Sequence, residues 1–589
     1  MLWRIRRTPN DQTVVFAADE LARYLRLIDP NIQIVISEDS IPTGSSSCLR
    51  LQIGDYRDLP AVDDPKLDDA YSINISGGRG IIAGTNSRSV LMGVYRFLRE
   101  LGCRWPVAAK DGEIIPKRND LLNVSVRLND KPSYRHRGVC IEGSCSFEHV
   151  MNMINWMPKV GLNAYFNQFA VPFTFFDHWY MHKNNTYLSP EPVSIDEVAA
   201  MVRVLTGQIK KRGMLYHATG HGWTCDPLGI PGNSWDKKEY DIDDDVRQLL
   251  AMVNGKREVY EGIALNTNLC YSNPGVREKI VTAITDYCFV HPEVDYLHFW
   301  LADGWNNHCE CENCIIKRPS DFYVNILNEV DNVLTSKNIP TRIVFLIYVD
   351  LLWEPEIESI INEDRFTLMF APITRTYTKS FCDSDTGDSI ELAPYKRNKN
   401  TMPKTVGENI ARLNRWQSQF KGDSFDFDYH LIWDHHLDPG GYESARILFE
   451  DMKNLNKLGL NGMMSCQGQR VFFPAGLAMN AMAAALWNKN QRFESFAEKF
   501  FHDVFGDHSN EMSDYFKKLS DLFQPPYMRV ELPQVSSKSA EKFALIPKVI
   551  NEKIPKMISQ LEKASDNFDK LLWRTLIIHA QLCIYLASA

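Results

Sequence analysis

The sequence predicts an α/β protein: a (β/α)8 TIM-type barrel, preceded by a small α/β domain and followed by a helical one. Three observations carry this. From residue 134 to about 488, eight strand-like runs alternate with helical patterns, the rhythm of a closed parallel barrel. No glycine-rich phosphate loop follows any of these runs, which argues against the alternative, a large doubly wound sheet. After residue 488 every pattern is helical.

The elements follow in order. Residues 1–128 alternate β-rich runs ("QTVVFA", "IQIVISE", "LRLQIGD", "YSINISG", "GIIAGT") with two helical patterns. "AADELARYLRLI" places apolar residues at i, i+3, i+4 and i+7, and "SRSVLMGVYRFLRELG" ends at Gly102, a natural helix stop. Polar, proline-containing "RLNDKPSY" reads as a linker. The barrel, 129–488, takes its strands from 134–142, 162–169, 214–221, 296–303, 342–350, 366–373, 424–433 and 460–467. Helices such as "SIDEVAAMVRVLTGQIKKRG" and "DFYVNILNEVDNVLTSK" separate most of them. The domain at 489–589 ends inside an apolar helical pattern, so the natural polypeptide is expected to continue.

Composition narrows the function. A length of 589 residues suits roughly three to four domains. A formal charge of −9 offers no handle for nucleic acid or an anionic membrane. The N-terminus has no apolar segment behind its basic residues, and no run reaches the roughly eighteen apolar residues of a membrane span. The 13 cysteines are odd in number and scattered, as in a reducing compartment, so a cytoplasmic location is expected. Aromatic residues make up 11%, which suits either sugar platforms or large cores.

In a barrel, functional groups gather at the C-terminal ends of the strands. The predicted ends carry Glu142; Asn167 and Gln168; His217 and His221; Asp303, Trp305, Asn306 and His308; Asp350; Tyr429, His430 and Asp434. Amides and imidazoles can bind sugar hydroxyls, tryptophan faces can stack on a pyranose, and two carboxylates can cleave a glycosidic bond. Asp303 and Glu142 are the first candidates for catalysis, with Asp434 and Asp350 in reserve. Against this stands the ordinary use of an Asp after a strand as a helix N-cap.

Cys309, Cys311 and Cys314 form C-x-C-x-x-C directly after Asp303. Three readings stay open: a structural zinc with a fourth ligand from Cys270, Cys225, His221 or His308; thiols packing a loop; and redox chemistry. His435 and His436 are adjacent, so one site using both is not expected. Lys256-Arg257 in "NGKRE" reads as a turn with solvated charge.

Two groups of strings carry a resemblance. "AADELARYL" with "IIAGTNSRSVLMGVYRFLRELGCRW" resembles the N-terminal domain of family 20 β-hexosaminidases and family 67 α-glucuronidases. "HATGHGW", "NGKRE", "NLCYSNPGVRE", "ADGWNNHCECENC", "DYHLIWDHH" and "LNGMMSCQGQRVFFPAGLAMNAMAAALWN" resemble the bacterial family called domain of unknown function 4838. The resemblance implies a glycoside hydrolase-like barrel related to glycoside hydrolase family 163, the endo-β-N-acetylglucosaminidases. Family 20 enzymes carry an Asp-Glu pair after the fourth strand. Asp303-Gly304 stands in the comparable place, so either the chemistry is not substrate-assisted or the acid comes from another strand.

The expected function is hydrolysis of a glycosidic bond in an oligosaccharide, for which the resemblance implies an N-acetylglucosamine-containing substrate, with no cofactor required. The rivals are a non-catalytic glycan-binding protein on the same barrel and a metal-dependent hydrolase built on His221, His308 and the cysteines.

Overall fold

The computed structural model describes residues 2–7, 11–38, 48–383 and 390–589. The first domain is a six-stranded sheet of β1 (Leu2–Arg7), β2 (Gln33–Glu38), β3 (Cys48–Ile53), β4 (Tyr71–Ser76), β5 (Arg79–Gly84) and β6 (Val126–Asp130), in the order β2-β1-β3-β5-β4-β6. β4 runs antiparallel to both its neighbours, and the other pairs are parallel.

Two expectations change here. "QTVVFA" is not a strand but the first turns of the helix Gln12–Ile28. The Asp11 carboxylate accepts from the Thr13 and Val14 amides at 2.9 Å, and this cap starts the helix before its apolar spacing is legible. Val14, Ala17, Ala18 and Leu21 then lie on its buried face. The linker "RLNDKPSY" begins inside β6, which pairs with β4, so the first sheet runs through Asp130.

All eight barrel strands form where the alternation placed them, each shorter than its apolar run. They are β7 (His136–Ile141), β8 (Ala164–Asn167) and β9 (Leu215–Ala218); then, beyond the small hairpin β10 (Met252–Val253) and β11 (Lys256–Arg257), β12 (Tyr296–Phe299), β13 (Arg342–Ile347), β14 (Phe366–Phe370), β15 (Asp423–Asp426) and β16 (Gly462–Gln467). β16 pairs in parallel with β7 from Gly462↔His136 to Gln467↔Ile141 and closes the barrel. The strands read as apolar runs because both faces are covered, by helices outside and by packed side chains such as Phe166, Tyr296, Met369, Phe425 and Met464 inside.

Ion pairs tie the three parts together. At the barrel floor Asp69 of the first domain is fully buried and accepts from Arg88 Nε at 2.9 Å and from Arg137 of β7 at 2.6 Å. Arg104 of the first domain meets Asp503 of the C-terminal helices at 2.6 Å. Arg529 of the C-terminal region pairs with Asp434, on the loop after β15.

The C-terminal region is helical as expected: Phe493–Phe505, Ser509–Phe523, Ser537–Lys563 and Asn567–Ser588 are its long helices. The last is, by length and composition, long and apolar enough to cross a membrane, a feature the run-counting of the sequence missed. One face of it, including Leu572, Trp573, Leu576 and Ala580, is buried within the protein.

Candidate active site at the barrel mouth

Glu142 directly follows β7 and is half-buried, with the protein crowding its carboxyl. Gln168 Nε2 donates to it at 3.2 Å, and the Cys466 thiol at the end of β16 lies 2.9 Å away. Desolvation is the largest influence on Glu142 and raises its pKa; the negative charge of Asp303 adds to the rise, and the two hydrogen bonds offset part of it. A carboxyl in this setting stays protonated to higher pH than an ordinary glutamate.

Asp303 lies on the loop after β12. Its backbone N–H donates to Leu265 O at 2.9 Å, and its carboxylate accepts from Trp235 Nε1 at 2.7 Å. Tyr348, just past β13, lines one pocket with Asp303 and His221; burial first, and then the charges of Asp303 and Glu142, push its pKa well above the usual phenol value. Asp303 and Tyr348 thus face one pocket from two strands, and the charge of Asp303 reaches Glu142 on a third. His221 completes the wall, stacked on Phe169 at 5.1 Å and edge-on to Trp300 at 4.7 Å. Burial lowers its pKa to about 4 despite the pull of Asp303, so the ring is neutral at neutral pH. Gly220 makes room for this arrangement, since a Cβ there would sit 2.6 Å from the Trp300 ring.

Two tryptophans stand open at the rim. Trp305 is 59% exposed, and Trp433 is 47% exposed with its inner face stacked on Tyr429, at 5.2 Å and 6°. Tyr429 itself is buried and feels the charge of Glu142.

Other nominated side chains are occupied elsewhere. His217 lies within the barrel rather than at its mouth, because β9 ends at Ala218 and not at 221. There it stacks on Tyr296 at 4.4 Å and hydrogen-bonds His298 at 3.0 Å. Asp350 is buried and accepts from the Asn306 N–H at 2.7 Å and from Asn400 Nδ2, which makes it a peg under the Asp303–His308 loop. Asn306, in a left-handed conformation (φ 56°), uses its own amide to clasp the backbone of Asn400. His308 is the exception: its backbone bonds the Asn398 side chain in both directions, and it lines the pocket of His221, Asp303 and Tyr348. Asn167 donates to Phe169 O at 2.8 Å. His430 lies in a buried network with Arg375, Asp428 and Asp451. Arg375 already fills the space between these acids, so the network is a set of ion pairs. Asp434 pairs with Arg529 and anchors the C-terminal region.

Sequence reasoning missed Tyr348, Trp235, Trp300 and Cys466. Tyr348 had a visible signal, since it closes the apolar run of β13 beside the nominated Asp350. Trp235, by contrast, comes from an irregular stretch where nothing in the sequence marks it. Cys309, Cys311 and Cys314 gather with Cys270, and Arg257 is not solvated but donates to Leu250 O and to Cys270 Sγ.

A separate cleft lined by Arg96, Arg104, Lys159, Trp487 and Lys499 lies where the first domain, the barrel floor and the C-terminal helices meet, away from the mouth.

Neither a protein-family model nor a curated protein sequence matches the chain. Solved structures do. A GH115 4-O-methyl-α-glucuronidase with specificity for decorated arabinogalactans superposes with a TM-score of 0.59 at 13% identity, over 100% of this chain and 72% of that one. A GH138 enzyme targeting pectin rhamnogalacturonan II gives 0.57 at 11%, over 100% and 69%. A family 89 glycoside hydrolase from Clostridium perfringens in complex with PUGNAc gives 0.54 at 11%, over 92% and 59%. At these identities the likeness is one of fold, a closed (β/α)8 barrel shared with these glycoside hydrolases.

Proposed function

We propose that the protein hydrolyses a glycosidic bond at the barrel mouth, with Glu142 as general acid and Asp303 as its partner carboxylate. The observation that carries this reading is the pocket shared by Asp303, Tyr348 and His221, with Glu142 near enough to feel the charge of Asp303 and with Trp305 and Trp433 exposed on the loops after β12 and β15. A desolvated carboxyl whose pKa is raised is suited to protonating a leaving-group oxygen. The Trp235 indole N–H holds the second carboxylate in orientation, as a group acting on the anomeric carbon or on a water requires. His221 contributes a neutral, apolar-faced wall that keeps the local dielectric low.

The substrate we propose is an oligosaccharide containing N-acetylglucosamine. The sequence resemblance to the family 163 enzymes supports this, as does the fold likeness to a family 89 enzyme whose structure contains PUGNAc. Trp433→Ala is expected to raise KM several-fold with little change in kcat, because one stacking contact contributes about 1 kcal/mol. Steady-state kinetics on the released sugar measure this.

The deciding test is a panel of aryl glycosides and reducing-end-labelled oligosaccharides, run on wild type beside Asp303→Asn. Release of one sugar by the wild type, with kcat lower by about 10²-fold or more in Asp303→Asn, supports the assignment. Saturable sugar binding with no turnover in the wild type overturns it in favour of a glycan-binding barrel.

A further inference from the structure

Four cysteines from two segments far apart in sequence meet outside the mouth. Cys270 follows the strap 264–269, and Cys309, Cys311 and Cys314 follow the Asp303 loop. One sulfur from each lies within 4.8 Å of all the others. Cys270 Sγ is 3.7 Å from Cys311 Sγ and 3.8 Å from Cys314 Sγ. Four thiolates around a tetrahedral zinc at about 2.3 Å each are separated by about 3.8 Å along every edge. A disulfide needs a sulfur–sulfur distance of about 2.05 Å, far shorter than either. The spacing is that of a metal's coordination shell, and it selects Cys270 from the four candidates for a fourth ligand.

The surroundings fit a tetrathiolate. Such a site carries two net negative charges, and the Arg257 guanidinium on the β10–β11 hairpin points at Cys270 Sγ from 3.9 Å. The Met252 N–H donates to Cys309 Sγ at 3.3 Å, and Ser272 Oγ lies 3.1 Å from Cys314 Sγ and 3.5 Å from Cys270 Sγ. Donors aimed at the sulfurs are the outer shell that thiolate sites use.

We propose that Cys270, Cys309, Cys311 and Cys314 bind one zinc ion as a closed structural site. With all four positions taken by protein, it has none left for water or substrate and takes no part in the chemistry. Its effect is mechanical. Asn268 Nδ2 donates to Asn307 Oδ1 at 2.8 Å, Asn307 Nδ2 to Asn266 O at 2.7 Å, and the Asp303 N–H to Leu265 O at 2.9 Å. The metal clamps the far end of this lacing, so the strap and the Asp303 loop are fixed to each other on both sides of the carboxylate. The inference does not depend on the glycosidase reading, and its test uses no substrate.

The experiment is metal analysis of the full chain purified under reducing conditions without chelator, followed by replacement of the metal with Co2+. Close to one zinc per chain is expected, together with the intense visible and charge-transfer bands of cobalt held by four thiolates. Cys270→Ser and Cys311→Ser should lose the metal or move the bands to those of a three-sulfur site, while Cys382→Ser, at an exposed cysteine, keeps both. The wild-type measurements stand even if a ligand variant fails to fold. Thirteen freely titrating thiols with no bound metal, a disulfide among the four, or iron in place of zinc would each overturn the proposal. A wild-type cobalt spectrum of three sulfurs would remove Cys270 from the site.

Discussion

Glu142→Gln is expected to lower kcat by about 10²–10⁴-fold on substrates with a poor leaving group, with the fold unchanged. Glutamine fills the same volume, and its carbonyl oxygen can still accept from Gln168 and face the Cys466 thiol. Only the transferable proton is gone. The loss should shrink on dinitrophenyl glycosides, whose leaving group departs without protonation; an equal loss on every leaving group would show that Glu142 is not the acid. The pH profile gives a second reading. Burial first, and the charge of Asp303 after it, raise the pKa of Glu142, and the protonated form is the competent one. Activity that depends on it is therefore present below the raised pKa and is lost as pH rises through it. That basic limb should be absent from the residual activity of Glu142→Gln. It should also move to lower pH in Asp303→Asn, where one cause of the rise has been removed. A limb that stays in place in Asp303→Asn would mean that the two carboxyls do not sense each other.

Asp69→Asn is expected to cost about 3–5 kcal/mol at pH 7, a large effect for an isosteric change. Asp69 accepts from Arg88, Ser89, Arg137 and Asn163 with no solvent access, and Arg137 is likewise fully enclosed. The substitution leaves two buried guanidiniums without a counter-charge. Burial alone would raise the Asp69 pKa, but Arg88 and Arg137 outweigh it and hold the group at about 2. Because the folded value is depressed, the stabilisation is present above the ordinary aspartate pKa and is lost as pH falls from about 4 towards 2. Urea unfolding should show a wide gap between variant and wild type at neutral pH and a narrow one near the acid end. A gap under about 1 kcal/mol at pH 7, or one that does not close in acid, would remove this node from the list of structural anchors.

The barrel was legible because its signal is redundant: eight buried strands each announce themselves, and an error of a few residues at any end leaves the count intact. The site was less legible because there the same error matters. Reading β9 to residue 221 rather than Ala218 put His217 at the mouth, whereas it stacks inside the barrel on Tyr296. Asp434 sits after a strand with the right chemistry, but its partner Arg529 lies in another domain, and no local pattern reports that. Asp350 and Asn306 follow their strands, yet both bond Asn400, from a loop with no periodicity to read, and Asp350 also accepts from the Asn306 N–H. The C-x-C-x-x-C run advertised three sulfurs, and the fourth needed the fold to bring Cys270 beside them. Sequence spacing thus located the loops, and tertiary partners decided which side chains on them are free.

The ion pairs that join the three parts have a mechanical consequence. Asp69 and Arg137 bolt the first domain to the barrel, Asp434 and Arg529 bolt the barrel to the C-terminal helices, and Arg104 and Asp503 bolt those helices back to the first domain. Three bodies pinned pairwise form a braced triangle, which has no free hinge axis. Two-domain enzymes that swallow a substrate by clamshell closure rely on such an axis. For the hydrolysis proposed above, such a frame would leave admission of substrate and release of product to the rim loops.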